Sequence, residues 1–327
     1  MIAVEEHFAV PGINNATRNS DWALRTRGLG ERDLRRGSAV LAQLSDLDED
    51  RLAAMDAASI DVQVLSHTQP GVETLETRDA VPLARQANDQ LAAAIARHPD
   101  RFAGFAALPT PAPDAAAAEL ERAVTKLGLK GALINGRTSG RFLDDPFFWP
   151  IFECAEQLGV PIYLHPAAPT EAVWKASYEG LPPAVGHWLS VAGWGWHIET
   201  GLHALRLIVA GVFERYPKLQ VIIGHMGEAI PFMLERTNLT LSKTVTGLDR
   251  DVKEYFTENF HVTTSGFFSY PPLICLLLVI GADRVLFAVD YPYSSNKEGR
   301  AFLEGAPVSP ADREKIAHTN AERLLGI

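Results

Sequence analysis

Eight short apolar runs, each followed by a stretch of helical periodicity, leave this chain few folds to adopt. The runs lie near Ile2–Glu6, Val62–Ser66, Phe102–Ala107, Gly131–Asn135, Pro161–His165, Leu219–Gly224, Phe260–Thr264 and Arg284–Asp290. Continuous apolarity, rather than alternation, marks strands covered on both faces, as in a parallel sheet wrapped by helices. Between the runs, apolar residues recur at helical spacing, as with Leu83, Ala87, Leu91 and Ile95 within Ala80–Arg97. Leu47–Ala58, Asp114–Leu127, Pro146–Leu158, Glu199–Tyr216, Gly227–Ser242, Pro271–Ile280 and Ser309–Leu325 continue the alternation. Asp114 reads as a helix N-cap with Gly128 as the stop, and Ser309-Pro310 as a cap followed by proline at the first helical position. Strand and helix alternating eight times predict an α/β chain folded as a (β/α)8 TIM barrel, one domain over residues 1–327. Two connections are long, Gly12–Ser45 after the first strand and Pro166–Ile198 after the fifth. Both leave strands that end in ligand-type residues, so both are expected to cover the site.

A formal net charge of −10 argues against nucleic acid as a partner, because neutralising phosphates takes a concentrated basic surface. The one basic cluster, Arg25, Arg27, Arg32, Arg35 and Arg36, is interleaved with acidic residues and reads as a solvated helical face. Cys154 and Cys275 sit among apolar neighbours and read as buried, reduced thiols, which fits a cytoplasmic protein. No positively charged segment followed by an apolar stretch opens the chain, so no secretory leader is expected. The greasy run Leu273–Ile280 is too short to span a bilayer.

Chemistry gathers at the ends of four of the runs. Ile2-Ala3-Val4 leads into Glu5-Glu6-His7, Tyr163-Leu164 into His165, Ile222-Ile223-Gly224 into His225, and Ala288-Val289 into Asp290. In parallel α/β proteins the carboxyl edge of the sheet is where sites are built. Glu5 and His7, two apart on a strand, share a face. Two carboxylates with one or two imidazoles suit one divalent ion of intermediate hardness, Mn²⁺, Zn²⁺ or Fe²⁺. The fourth strand ends in Ile134-Asn135-Gly136-Arg137, without the lysine that bridges two metals in binuclear barrels, so a single ion is expected. Glu228, three residues after His225, serves either as a first-turn helix-dipole partner or as a hydrogen-bond acceptor for the imidazole, and the second reading is favoured. His67, after the second strand, is placed to line the site without binding metal. His98 and His318 read as peripheral, while His187, His197, His203 and His261 are intermediate cases. Trp174, Trp188, Trp194 and Trp196 in the second long connection suit an aromatic substrate, although any one of them could simply pack the loop.

These motifs resemble the metal-dependent decarboxylase branch of the amidohydrolase superfamily, which includes γ-resorcylate (2,6-dihydroxybenzoate), 2,3-dihydroxybenzoate and aminocarboxymuconate semialdehyde decarboxylases. The likeness spans the chain, through Val4-Glu5-Glu6-His7-Phe8-Ala9, Ala87-Asn88-Asp89, Gly131-Ala132-Leu133-Ile134-Asn135-Gly136, Tyr163-Leu164-His165-Pro166, Ile223-Gly224-His225-Met226-Gly227-Glu228 and Asp290-Tyr291-Pro292-Tyr293. Departures fall in the substrate shell, at Gly12–Ser45 and at Ser66-His67-Thr68-Gln69-Pro70. The resemblance implies a carboxy-lyase acting on an ortho-hydroxybenzoate such as 2,6-dihydroxybenzoate, with no organic cofactor. It implies Glu5, His7, His165 and Asp290 as ligands of one Mn²⁺ or Zn²⁺, and His225 with Glu228 as a catalytic pair. Arg236, His67 and Tyr293 are the expected substrate contacts, and a homodimer or homotetramer the expected assembly. Asp290 is the expected proton donor to the ring, with His225 second. Hydrolysis of a lactone or amide by metal-bound hydroxide is the alternative that the same residues support.

Overall fold

The computed structural model describes residues 1–20, 23–24 and 38–327. The arginine cluster at 25–36 lies outside the described residues. The strands are β1 (Ile2–Phe8), β2 (Val62–His67), β3 (Phe102–Gly104), β4 (Ala106–Ala107), β5 (Ala132–Asn135), β6 (Ile162–His165), β7 (Val221–Ile223), β8 (Phe260–Thr263) and β9 (Val285–Leu286). β3 and β4 are two parts of the third sequence run, interrupted at Phe105. Every adjacent pair is parallel, in sheets ordered β1-β2-β3 and β4-β5-β6-β7-β8-β9. Backbone hydrogen bonds join the sheet edges: Phe105 N–H donates to Leu65 O at 2.9 Å, and Val4 N–H to Phe287 O at 3.1 Å.

Two apolar layers follow from the strand pleat. Ile2, Val4, Val64, Ala103, Leu133, Tyr163, Ile222 and Leu286, from one face of successive strands, meet in a single buried cluster. Ala321 and Leu325 of the terminal helix Asn320–Leu325 join it. The opposite faces pack on the helices. Thr77–Arg97 buries Ala80, Ala84, Ala87, Leu91 and Ala94, a stripe of mostly small side chains that brings the helix close to the strands. One irregularity matters for function. Ala3 pairs with Gln63 but Glu6 with Leu65, so β1 carries an extra residue. Such a bulge reverses which residues face which side. Val4 faces the strand cluster before it, and Glu5 and His7 do so after it.

Several expectations need correction. The helix expected from Asp114 begins at Pro113 after Ala112, so Asp114 lies in its first turn and is not the cap. Gly128 does close it in the left-handed conformation. Ser309 caps Pro310–Glu314, its hydroxyl accepting from Asp312 N–H at 3.1 Å. The long connections hold short helices: Pro11–Thr17 and Ser38–Ser45 in the first, Glu171–Ser177 and Pro183–Ser190 in the second. Cys154 and Cys275 are free thiols but only half-buried. Among the described residues no helix is long and apolar enough to cross a membrane.

His203, inside the helix Gly195–Val209, is buried and accepts Leu143 N–H on Nε2 at 2.8 Å. Burial, with Arg137 and Arg206 nearby, lowers its pKa to about 3. A histidine held neutral when folded contributes stability above its unfolded pKa of about 6.5, and that stability is lost as pH falls toward the folded value. Acidification from pH 7 to 5 is therefore expected to cost about 2 kcal/mol through this residue. His203→Gln keeps an acceptor for Leu143 without a titrating ring. Thermal melts at the two pH values should show a smaller acid loss in this variant, and an equal loss would contradict the assignment.

Candidate active site

The bulge in β1 delivers Glu5 and His7 to the same end of the sheet as His165 from β6 and His225 after β7. Glu5 is fully buried, and its two oxygens have different fates. Oε2 accepts from Tyr163 OH and, at 3.2 Å, from Thr263 Oγ1. Gly224 makes room for this arrangement, since a Cβ there would stand 2.8 Å from Oε2 and 3.2 Å from the Tyr163 oxygen. Oε1 has no hydrogen-bond partner, yet His165 Nε2 lies 3.2 Å away, His225 Nε2 3.7 Å and His7 Nε2 4.0 Å. His7 Nε2 likewise lacks a hydrogen bond and sits 3.2 Å from Asp290 Oδ1. Burial alone would push the Glu5 carboxyl up, but His225, His165 and His7 together hold it well below the usual range. Burial pushes the His7 imidazole down.

Ligand atoms from Glu5, His7 and His165 thus lie within 4.8 Å of one another. Neighbouring ligands of an ion bonded at about 2.1 Å stand about 3 Å apart. A buried carboxylate oxygen and imidazole nitrogen without partners, facing a second imidazole and a second carboxylate, fit a divalent cation. Without one they would be an uncompensated cost.

A second cluster adjoins the first. His225 Nδ1 lies 2.7 Å from Glu228 Oε1, and His197 Nδ1 lies 2.7 Å from Glu228 Oε2. The favoured sequence reading of Glu228 as an imidazole partner agrees with this contact. The helix expected from Gly227 instead starts at Ile230, so Glu228 is in no first turn. Residues 225–229 run through left-handed backbone, with φ of 52° at His225, 58° at Met226, 86° at Gly227, 52° at Glu228 and 65° at Ala229. A left-handed turn keeps residues three apart on one side, and it costs roughly 1–2 kcal/mol per non-glycine residue. The two hydrogen bonds to Glu228 help offset that cost.

His197 is one of the four histidines that the sequence leaves undecided, since it follows no strand. A Cβ on Gly201, one turn further along the same helix face, would meet Glu228 O at 2.5 Å. That close approach is what sets His197 against Glu228. Trp196 Nε1 and Ala192 O lie 3.1 Å and 3.2 Å from His197 Nε2, while Nδ1 faces the Glu228 carboxylate. Burial lowers the basicity of His225, but Glu228 and Glu5 outweigh it and raise its pKa to about 10. Glu228 is lowered against its own burial by His225 and His197.

A cavity of about 850 Å³ opens over these groups, lined by Trp188, Trp196, His225, Phe267, Asp290 and Tyr293. Two of the four connection tryptophans therefore wall it. Trp194 is exposed, and Trp174 is half-buried outside the lining. Asp290 takes a left-handed φ of 71°, and Tyr293 OH lies 2.5 Å from Thr68 Oγ1. His67 is buried behind this surface: its Nε2 accepts Val10 N–H at 3.2 Å, and burial lowers its pKa to about 4. It anchors the start of the first connection and is not among the lining residues. Arg236 is exposed on the helix Ile230–Thr240, away from the cavity of its own chain.

The sequence profile described as "Amidohydrolase" matches residues 39–327. γ-Resorcylate decarboxylase of Rhodococcus jostii is 41% identical over 99% of this chain and 98% of its own. The crystal structure of 5-carboxyvanillate decarboxylase from Sphingomonas paucimobilis superposes with a TM-score of 0.91 at 36% identity, over 100% of this chain and 99% of that one. A dihydroxybenzoic acid decarboxylase from Polaromonas, solved with manganese and the inhibitor 2-nitroresorcinol, gives 0.88 at 37% identity, over 99% and 96%.

The orphaned ligand atoms generate a direct test. Mn²⁺ at about 100 times its Kd should stabilise the folded chain by about 2.7 kcal/mol, about 5 °C in Tm for a protein of this size. His165→Ala should abolish the shift. A Tm indifferent to Mn²⁺ in the wild-type protein would contradict the fit.

Proposed function

Because this chain belongs to the amidohydrolase family, we propose that it is a metal-dependent, non-oxidative decarboxylase of an ortho-hydroxybenzoate such as 2,6-dihydroxybenzoate. The observation that carries this reading is the pair of buried, partnerless atoms, Glu5 Oε1 and His7 Nε2, directly behind His225 and Asp290 in the lining of an aromatic-walled cavity. The decarboxylases just described support the reaction class. The eight strand positions, their parallel order and the hydrogen bonds joining the sheet edges support a closed (β/α)8 barrel as the scaffold.

In this proposal Glu5, His7, His165 and Asp290 would hold one Mn²⁺ or Zn²⁺. When bound, the ion supplies a Lewis acid that orients the substrate's carboxylate and ortho-oxygen and withdraws charge from them. Loss of CO2 directly from an aryl carboxylate would leave an electron pair in an sp² orbital that the ring cannot delocalise. Protonating the carboxyl-bearing carbon first avoids that anion at the expense of aromaticity, which C–C cleavage restores.

Asp290, on the cavity wall beside His7, is placed as the acid that delivers this proton. His225 presents Nε2 toward the same space, with Nδ1 fixed by Glu228. It is the second candidate donor and a hydrogen-bond partner for developing negative charge. Glu228, gripped by His197 and His225, keeps that imidazole oriented. Tyr293 and the aromatic wall of Trp188, Trp196 and Phe267 exclude water and hold a flat ring.

Phe232, Leu239 and Leu278 are 82%, 72% and 83% exposed on two helices in contact, Ile230–Thr240 and Tyr270–Ile280. Such apolar surface supports assembly into a homodimer or homotetramer. Arg236 shares the Phe232 and Leu239 face, and any substrate role for it would have to be exercised there rather than in its own chain's cavity.

CO2 release by Mn²⁺-loaded protein, measured across a panel of 2-hydroxybenzoates with and without chelator, tests the proposal. Chelator-sensitive release is expected, and silence across the panel with metal confirmed would sink it. Asp290→Asn should lower kcat by about 10²–10⁴-fold, the usual worth of a general acid. A near-wild-type rate would end that assignment. Glu228→Gln should cost about 10–100-fold through loss of His225 orientation, and unchanged kcat would remove it from the catalytic pair.

A further inference from the structure

Glu6 lies between two proposed ligands and is fully buried, yet the bulge in β1 turns it away from the site. Its surroundings show what it does instead. The chain from Phe287 to Tyr291 leaves the strand geometry after Leu286 and passes through the left-handed φ of Asp290. Its backbone donors can all be accounted for. Phe287 N–H bonds Ile316 O, Ala288 N–H bonds Thr264 Oγ1, and Asp290 N–H bonds Glu5 O at 3.0 Å. The two that remain go to one side chain: Val289 N–H donates to Glu6 Oε1 at 2.8 Å and Tyr291 N–H to Glu6 Oε2 at 3.0 Å. A single carboxylate therefore brackets Asp290 on both sides.

We infer that Glu6 is a positioning residue whose carboxylate, by accepting the N–H groups of Val289 and Tyr291, holds Asp290 in the conformation that faces the metal ligands. This rests on the reading of Asp290 as ligand and proton donor. Aspartate tolerates left-handed backbone better than most residues but does not prefer it, so the conformation must be imposed from outside. Serving as an ion-pair partner for buried Arg51 does not explain Glu6. The Arg51 guanidinium is engaged by His7 O at 2.6 Å, Asp46 O at 2.8 Å, Gln63 Oε1 at 3.1 Å and Gln43 O at 3.1 Å, and stacks over the Tyr291 ring. Its hydrogen-bonded link to Glu6 runs through Gln63, whose Nε2 stands 3.5 Å from Oε2, while its charge acts on Glu6 across that gap. The short contacts of Glu6 are the two backbone donors. Arg51 and Gln63 steady the clamp from behind.

Glu6→Gln tests this with almost no change in volume. One acceptor becomes an amide donor, which cannot take either N–H. Amide exchange followed by mass spectrometry across residues 285–293 should accelerate, and Mn²⁺ affinity measured by calorimetry should weaken about 10–100-fold. Combined with Asp290→Ala, Glu6→Gln should weaken Mn²⁺ no further, because its effect passes through Asp290. Wild-type exchange, or a double variant that loses the full Glu6→Gln factor on top of Asp290→Ala, would overturn the inference. If Glu6→Gln fails to fold, Glu6→Asp keeps the carboxyl group but is too short to span both donors, and the same outcomes apply. Should Asp290→Ala bind Mn²⁺ as the wild type does, the ligand reading of Asp290 fails by itself, and amide exchange alone then supports or overturns the clamp.

Discussion

A carboxylate buried with one oxygen unpartnered is costly, and the Glu5 carboxylate is the interaction around which this structure is organised. Taking an ion of this kind out of water costs several kcal/mol unless its lone pairs are met. Tyr163 and Thr263 meet those of Oε2 from the layer below, and Gly224 leaves the space for them to do so. Oε1 is left to three imidazoles that approach without hydrogen-bonding it. The arrangement is unfavourable as an isolated cluster and favourable as a cradle for a dication. The strand order, the bulge in β1 and the packing of the interior side chains all serve to bring these atoms together.

The backbone around the cradle is held in conformations it would not choose. Five consecutive residues after β7 and Asp290 after β9 have left-handed φ values. In each case buried carboxylate hydrogen bonds oppose the strain, Glu228 from within its own turn and Glu6 from the neighbouring strand. Two of the strained positions, His225 and Asp290, line the cavity, so there the rigidity of the surrounding sheet is converted into side-chain placement. The histidine–glutamate–histidine group depends on this most directly, because His197 reaches Glu228 only where Gly201 lets the helix approach.

Much of this was legible in the sequence. Strands buried on both faces are read from runs of apolar residues, and Glu5, His7, His165, His225 and Asp290 stood out because each follows such a run. What escaped depends on contacts between distant segments. The bulge between Ala3 and Glu6 shows only in the pairing with β2. Gly227 looked like the opening of a helix, whereas packing imposes a left-handed turn that delays the helix to Ile230. His197 belongs to the site through a helix contact that no local spacing records. Glu6 was hidden by its neighbours: in Glu5-Glu6-His7 the alternation marks the outer two for the interior and leaves the middle one unassigned. His67 and Arg236 are the reverse case, residues with suggestive positions whose side chains the fold sends elsewhere in this chain.

The most direct test of this account is anomalous diffraction from crystals of the Mn²⁺-loaded protein. The account requires one strong manganese peak within about 2.0–2.3 Å of Glu5 Oε1, His7 Nε2 and His165 Nε2, with Asp290 beside it. A peak seated instead among His197, His225 and Glu228, or no ordered metal at all, would contradict the central claim that the unpartnered oxygen of Glu5 is a metal ligand.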